Sequence, residues 1–276
     1  MKKIKIALLY IATGRYNVFW ECFYKSAEKF LLKECDKHYF IFSDNRELFT
    51  SGNVTIIKQE KLGWPLDTLM RFDIFLSIKD QLEEFDYVLF FNGNTEILSN
   101  VAIVDILPLD SDKKLVFALQ PHMFHLKRNE FTYERNSISS AYIGYNDGKY
   151  YFTGAFNGGE VGAYMEMCEI ICKNIKNDLK NNFIALWHDE SHLNKYALNR
   201  DDIRILPPFF LKGESEYWKK SKIMFLDKTH YRFGGHDYLR GETDIKISKE
   251  EWEDKNINRK KFFKFRVKQY VKSFYI

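Results

Sequence analysis

The sequence predicts an α/β protein built on an open sheet, and three observations carry that expectation. Apolar runs of strand length alternate with stretches whose apolar residues recur at helical spacing. The first run, residues 4–11, is continuously apolar apart from one lysine, as in a strand covered on both faces. The strand-like runs also stop at small polar clusters: Thr13-Gly14-Arg15, Ser43-Asp44-Asn45 and Asn92-Gly93-Asn94.

Taken in order, the run at 4–11 is the first strand, and Thr13-Gly14-Arg15 turns the chain. Phe19, Trp20, Phe23, Ala27, Phe30 and Leu31 then mark a helix by their spacing. Strands are expected at 38–42 and 54–57. Leu69, Phe72, Phe75, Leu76 and Leu82 give the next helix, and residues 86–91 a strand ending at Asn92. Residues 115–158 mix aromatic, glycine and polar residues without clean periodicity and read as loops and short strands shaping a pocket. Helical spacing returns from Val161 to Ile175, and Trp187 to Leu198 is a further short helix. The segment from about Ile245 differs in composition, so the expected division is a domain over 1–244 and a tail over 245–276.

Composition excludes several classes of protein. With 29% charged and 45% hydrophobic residues, the 276-residue chain has the balance of a globular domain and not of a disordered one. Few prolines and glycines exclude a linker-rich build, and no apolar run approaches the roughly 20 residues that span a bilayer. The aromatic share of 17% can fill a core and also supplies planar rings suited to sugars or nucleobases. The net charge is +4, yet residues 259–276 hold seven Lys/Arg and no acid, which leaves −3 for the rest. A mildly acidic body argues against nucleic-acid binding. Cys168 and Cys172 stand four apart on one apolar helix face, read as buried thiols, with a metal pair or disulfide as the other option. The lysine-led N-terminus is too short and lacks a small-residue cleavage site for a signal peptide. The expected location is therefore the cytoplasm.

Three stretches carry candidate chemistry. Asn92-Gly93-Asn94 ends a strand, where open α/β sheets bind ligands; the same residues also suit a plain turn. Residues 187–196, Trp-His-Asp-Glu-Ser-His-Leu-Asn-Lys-Tyr, pack charge and aromatics too densely for an ordinary amphipathic helix. Asp189 and Glu190 either point into one site or simply favour a helix start. Phe131-Thr132-Tyr133-Glu134-Arg135 and the run from Tyr150 to Gly159 set small residues among rings, which lets a ligand approach the backbone or serves core packing with turns.

Together with Gly63-Trp64 and Ala27-Glu28-Lys29, these stretches resemble glycosyltransferase family six over roughly residues 4–240. The family includes the ABO blood-group transferases, the mammalian α1,3-galactosyltransferase and bacterial relatives. The resemblance implies a GT-A fold: a Rossmann-like nucleotide-sugar-binding half with a mixed central sheet, joined to an acceptor-binding half. It implies transfer of galactose or N-acetylgalactosamine from a UDP-sugar to O3 of a galactoside with retention of the α configuration. Mammalian members carry Asp-x-Asp where Asn92 and Asn94 stand, and hold Mn²⁺ there. This chain is similar to the bacterial Asn-x-Asn branch, for which no divalent metal is expected. Amides are poor ligands for such an ion without carboxylate help.

The same resemblance implies site roles. Glu190 matches the carboxylate beneath the anomeric carbon. Asp189 matches a residue bonded to donor-sugar hydroxyls, and Arg71 one that contacts that sugar. Ile11, Thr13 and Tyr16 match uridine-contacting positions. Lys228 and Arg240, with Arg232 as a third, match cations that close over the diphosphate. Thr153, Gly154 and Ala155 frame the sugar. Galactose users tend to have Ala at position 155 and N-acetylgalactosamine users Gly, so UDP-galactose is the expected donor and UDP-N-acetylgalactosamine the alternative. His122 falls near a position that is Gly or Ser in blood-group enzymes. Trp187 and Thr132 are expected at the acceptor, and Gln120 replaces a histidine common there. The acceptor implied is a galactoside, fucosylated by analogy with the family; a lipid-linked oligosaccharide is expected only from the basic tail.

Within 259–276, lysines and apolar residues fall on opposite sides at helical spacing. That is the pattern of a basic amphipathic helix, suited to the inner, anionic face of a bacterial membrane or to packing on the body or on a partner. A rival class is a zinc hydrolase using His188 and His192, four apart with acids between them, although Asp189 replaces the Glu such a helix needs. A non-catalytic glycan-binding module is a second rival, against which an intact Glu190 argues.

Overall fold

The computed structural model describes residues 3–216 and 219–256. Strand β1 (Lys5–Ile11) places Ile6, Leu8 and Tyr10 on one face and Ala7 and Leu9 on the other, all fully buried. A 3-10 turn, Gly14–Phe19, leads into α1 (Trp20–Phe30), which lays Trp20, Phe23 and Ala27 on the first face. Next come β2 (Asp36–Ser43) and β3 (Val54–Lys58). The helical pattern of 69–82 resolves into short pieces: α2 (Leu66–Leu69), α3 (Arg71–Leu76) and α4 (Lys79–Leu82). Their Phe72 and Phe75 cover the second face beside Leu9 and Phe90. Full burial of a ring such as Phe75 contributes about 1.5–3 kcal/mol.

The chain continues through β4 (Tyr87–Phe91), β5 (Thr95–Ile97), α5 (Ile103–Ile106) and β6 (Leu115–Leu119). Strand β7 (Phe152–Glu160) runs directly into α6 (Val161–Lys180), whose Tyr164, Cys168 and Ile171 join the second face. The remaining elements are α7 (Asp189–Ala197), β8 (Ile203–Leu206), β9 (Leu211–Gly213), β10 (Ile223–Phe225), α8 (His236–Arg240) and α9 (Lys249–Asn256).

A seven-stranded sheet has the order β3-β2-β1-β4-β7-β6-β8, and a small sheet the order β5-β10-β9. β3, β2, β1 and β4 are parallel, whereas β7 is antiparallel to both its neighbours. This is the mixed sheet of a GT-A-like glycosyltransferase fold. β1 is followed by β2 on one side and flanked by β4 on the other, so the strand order reverses between β1 and β4. A crevice forms at such a point beyond the carboxyl ends. Because β7 runs the opposite way, its beginning lies at that same end: Phe91 pairs with Phe156, and Asn92 N–H donates to the Ala155 carbonyl at 2.9 Å.

The structure corrects the reading of 115–158 as loops and short strands. The nine-residue β7 begins in that stretch and lies inside the main sheet. Its glycines hid it: a Cβ at Gly158 would stand 2.5 Å from the Leu89 side chain, so close packing replaces the usual alternation. Residues between β6 and β7 are irregular, held by a separate cluster of Phe131, Tyr133, Ile143 and Tyr151.

The cysteines are free thiols; Cys168 is fully buried and Cys172 donates to Asp73 Oδ1 at 3.0 Å. Past residue 244, Ile247 N–H donates to the Gly234 carbonyl at 3.0 Å and Trp252 packs 4.2 Å from the His230 ring. Those contacts tie the described part of the tail to the body. The basic stretch 259–276 lies outside the described residues. Among the described residues, no helix is long and apolar enough to cross a membrane.

Candidate active site

The carboxyl ends of β1 and β4 open onto a cavity of about 290 Å³. Ile11, Thr13 and Tyr16 line it from the β1 side, and Asn92 and Gly93 from the end of β4. Gly154 and Ala155 of β7 form another wall. Consecutive residues Trp187, His188, Asp189 and Glu190 supply the floor. They can all face the cavity because His188 takes a positive φ of 52° just before α7, a strained turn for a residue with a side chain.

Glu190 is held from two directions. Its Oε1 accepts from the Tyr151 hydroxyl at 2.8 Å and its Oε2 from Gly154 N–H at 2.7 Å. Burial pushes its carboxyl up to about 7, against the pull of these donors. Gly154 permits the approach: a Cβ there would lie 3.1 Å from Glu190 Cβ and 3.2 Å from Asp189 Oδ2. Asp189 is buried and bracketed, with Arg71 Nε at 3.1 Å and the Thr68 hydroxyl donating at 2.8 Å. Burial raises its carboxyl, and Arg71 opposes that rise. Arg71 also donates to the Gly154 carbonyl at 2.6 Å and lies over the Phe90 ring, so it joins the β7 wall to the floor that carries Asp189.

Cations line the same cavity as these acids. Arg240 lies over the Trp64 ring at 3.7 Å, and its Nε is buried with no hydrogen-bond partner among the described residues. Burial raises the Tyr16 hydroxyl to about 12, while the neighbouring Arg240 draws it back. Burial, with Arg240 and Arg71 near by, pulls the Lys228 amine down to about 8. A desolvated lysine next to two guanidinium groups is a set of positive charges suited to an anion. Arg232 is elsewhere, paired with Glu214 at 2.6 Å.

Several sequence-selected residues stand outside the cavity wall. Asn94 is buried with its side chain engaged at both ends: Oδ1 accepts from Asn92 Nδ2 at 3.0 Å and Nδ2 donates to the Leu226 carbonyl at 2.6 Å. It ties the end of β4 to the segment that carries Lys228. Thr153 is buried, and its hydroxyl accepts from Ala155 N–H at 3.2 Å. Gln120 is bonded through its main chain to Tyr151 at 2.9 Å, and Thr132 sits beside the Tyr151 hydroxyl. His122 contacts the buried Glu216 at 2.7 Å. Gln120 and Thr132 thus adjoin Tyr151, whose hydroxyl donates to Glu190. Lys61, Asp67 and Thr68 line the cavity and carried no signal in the sequence. Tyr151 did lie in a stretch singled out for small residues and rings, but nothing there marked its hydroxyl as the partner of Glu190.

The zinc reading fails on geometry. His188 lines the cavity against Trp64, whereas His192 is buried 3.7 Å from Asp178. Among the described residues, no group of three His, Cys, Asp or Glu could hold a metal ion.

A crevice at the sheet's switch point, lined by two buried carboxylates together with lysine and arginine side chains, suits an enzyme that handles an anionic substrate. The chain belongs to glycosyltransferase family 6, whose model matches residues 1–231. It is 31% identical to the O-antigen biosynthesis glycosyltransferase WbnI of Escherichia coli, over 84% of this chain and 98% of that protein. It is 28% identical to histo-blood group ABO system transferase 2 of Rattus norvegicus, over 83% of this chain and 71% of that one. Globoside alpha-1,3-N-acetylgalactosaminyltransferase 1 of Gallus gallus is 31% identical over 75% of this chain and 62% of its own length. The protein is thus a hexosyltransferase, with a nucleotide-sugar donor and a glycan acceptor.

Proposed function

We propose that the enzyme moves galactose from UDP-galactose to O3 of a galactoside, fucosylated or lipid-linked, in α1,3 linkage with retention and without a divalent metal. The observation that carries this reading is Glu190, enclosed at the cavity floor and held by Tyr151 and Gly154 opposite a cluster of cations. In this reading uridine lies along Ile11, Thr13 and Tyr16, and the diphosphate meets Asn92, Lys228 and Arg240. Asp189 takes sugar hydroxyls, Ala155 bounds C2, and the acceptor enters past Trp187 with Gln120, His122 and Thr132 around it.

Retention requires one face of the sugar to be covered while positive charge develops at C1. The ionised Glu190 covers it, as a nucleophile or as the partner of an ion pair. The C1–O bond to the diphosphate breaks, the acceptor O3 bonds to C1, and in the ion-pair route a departing phosphate oxygen takes the O3 proton. Metal independence is supported by the donor set. Asn92 and Asn94 present amides bonded to each other and to Leu226, while side-chain cations stand where they can neutralise the diphosphate.

N-acetylgalactosamine as the donated sugar is the second reading, favoured by the names of the globoside relatives. A matrix of both UDP-sugars against fucosylated and plain galactosides, with and without EDTA, tests the proposal. Galactose transfer unaffected by EDTA is expected; strict dependence on Mn²⁺ would contradict it. We further assign catalysis to residues 1–244 and peripheral contact with the inner membrane face to the basic stretch of the 245–276 tail.

A further inference from the structure

Two cations that the reaction scheme leaves unused grip the C-terminal segment from the donor side of the sheet. Arg15, in the turn after β1, donates to the main-chain oxygens of Tyr238 at 2.8 Å and Thr243 at 2.7 Å. It also pairs with Asp244 and lies 4.0 Å from the centre of the Tyr238 ring. Lys61 Nζ donates to the Arg240 carbonyl at 2.5 Å. Most of these partners are backbone oxygens, so the grip acts on the path of the chain through 238–243. Cationic donors make such bonds stronger than neutral ones.

Room for this arrangement comes from glycine on both sides. Gly241 has φ +73°, and a Cβ there would lie 2.5 Å from Lys61 Nζ. Gly14 has φ +56°, and a Cβ there would lie 3.3 Å from Lys61 Cδ. Between the points of attachment, Arg240 projects over Trp64 with its buried Nε unpartnered. Among the described residues nothing receives that Nε proton, while the rest of the guanidinium reaches the Tyr16 hydroxyl and stands 4.0 Å from Glu242.

We propose that Arg15 and Lys61 are positioning residues that fix the α8 end so that the Arg240 guanidinium stands where the β-phosphate of the donor binds. The inference rests on the reading of Arg240 given above. Thr13, Arg15 and Tyr16 belong to one turn, so the uridine wall and the seat of Arg240 form a single mechanical unit.

Calorimetric titration of the full chain with UDP and with UMP tests this, because the two ligands differ by the β-phosphate alone. Arg240→Met, Arg15→Met and Lys61→Met are each expected to weaken UDP about tenfold, the scale of a lost charge-assisted bond, and to leave UMP unchanged. Lys61→Arg should retain UDP affinity. Lys61→Met placed on Arg240→Met should add no further loss, since Lys61 acts through Arg240. A further tenfold loss in that double variant would show direct contact and overturn the proposal. Equal weakening of UDP and UMP by Arg15→Met or Lys61→Met would overturn it too, as a general structural defect. If Arg240→Met alone weakens UDP, the clamp is wrong and the diphosphate reading stands. If Arg240→Met leaves UDP affinity intact, the diphosphate reading itself is wrong, and the clamp falls with it.

Discussion

Removing one oxygen from Tyr151 should move the pH dependence of catalysis without displacing Glu190, the carboxylate proposed to face the sugar. Tyr151→Phe keeps the ring, which packs with Tyr133 and Phe131, and deletes the hydroxyl that donates to Glu190 Oε1 at 2.8 Å. In the proposed mechanism Glu190 acts ionised, facing positive charge at C1. Its carboxyl stands at about 7, so activity is present above that pH and falls as the pH drops through it. A hydrogen bond to a charged group contributes about 1.5–3 kcal/mol, which corresponds to roughly one to two pH units. Losing it destabilises the carboxylate, so the acid limb moves up by that amount. At pH 7 the variant should turn over about tenfold more slowly than the parent and recover most of the difference about two units higher. The assay is kcat for galactose transfer across the pH range at saturating donor. An acid limb that stays in place, or a loss of rate that high pH does not restore, would refute the reasoning.

Other expectations concern specificity and location. Ala155→Gly removes the methyl that the proposed donor pose sets beside the sugar's C2, and should improve the N-acetylgalactosamine to galactose ratio of kcat/KM by about tenfold or more, the scale of 1–3 kcal/mol; an unchanged ratio in competition assays would show that Ala155 does not set donor choice. Deleting residues 259–276 should shift the protein from the membrane fraction to the supernatant while sparing transfer to soluble acceptors. A distribution that does not shift would remove the membrane role.

Much of the frame was legible because its signals are local. The run at 4–11 and the spacing of Trp20, Phe23 and Ala27 follow directly from burial on the two faces of one sheet. Residues 187–190 stood out because acids and rings were crowded at a helix start, and the strained φ of His188 explains how four neighbours face one cavity. What escaped was set by contacts distant in sequence. β7 carries glycines where its neighbours press in, so alternation fails. Asn94 reads like Asn92 but turns inward to Leu226, 132 residues away. Thr68 and Lys61 have no motif; their parts come from Asp189 and from the Arg240 carbonyl, across 121 and 179 residues.

The account depends most on Glu190 facing the anomeric carbon. Glu190→Gln preserves shape and removes the charge, and transfer rate and UDP-galactose affinity can be measured on the same preparation. Transfer reduced by about a thousandfold or more, with donor affinity close to the parent's, is the predicted result. Transfer near the parent's rate would contradict the central claim.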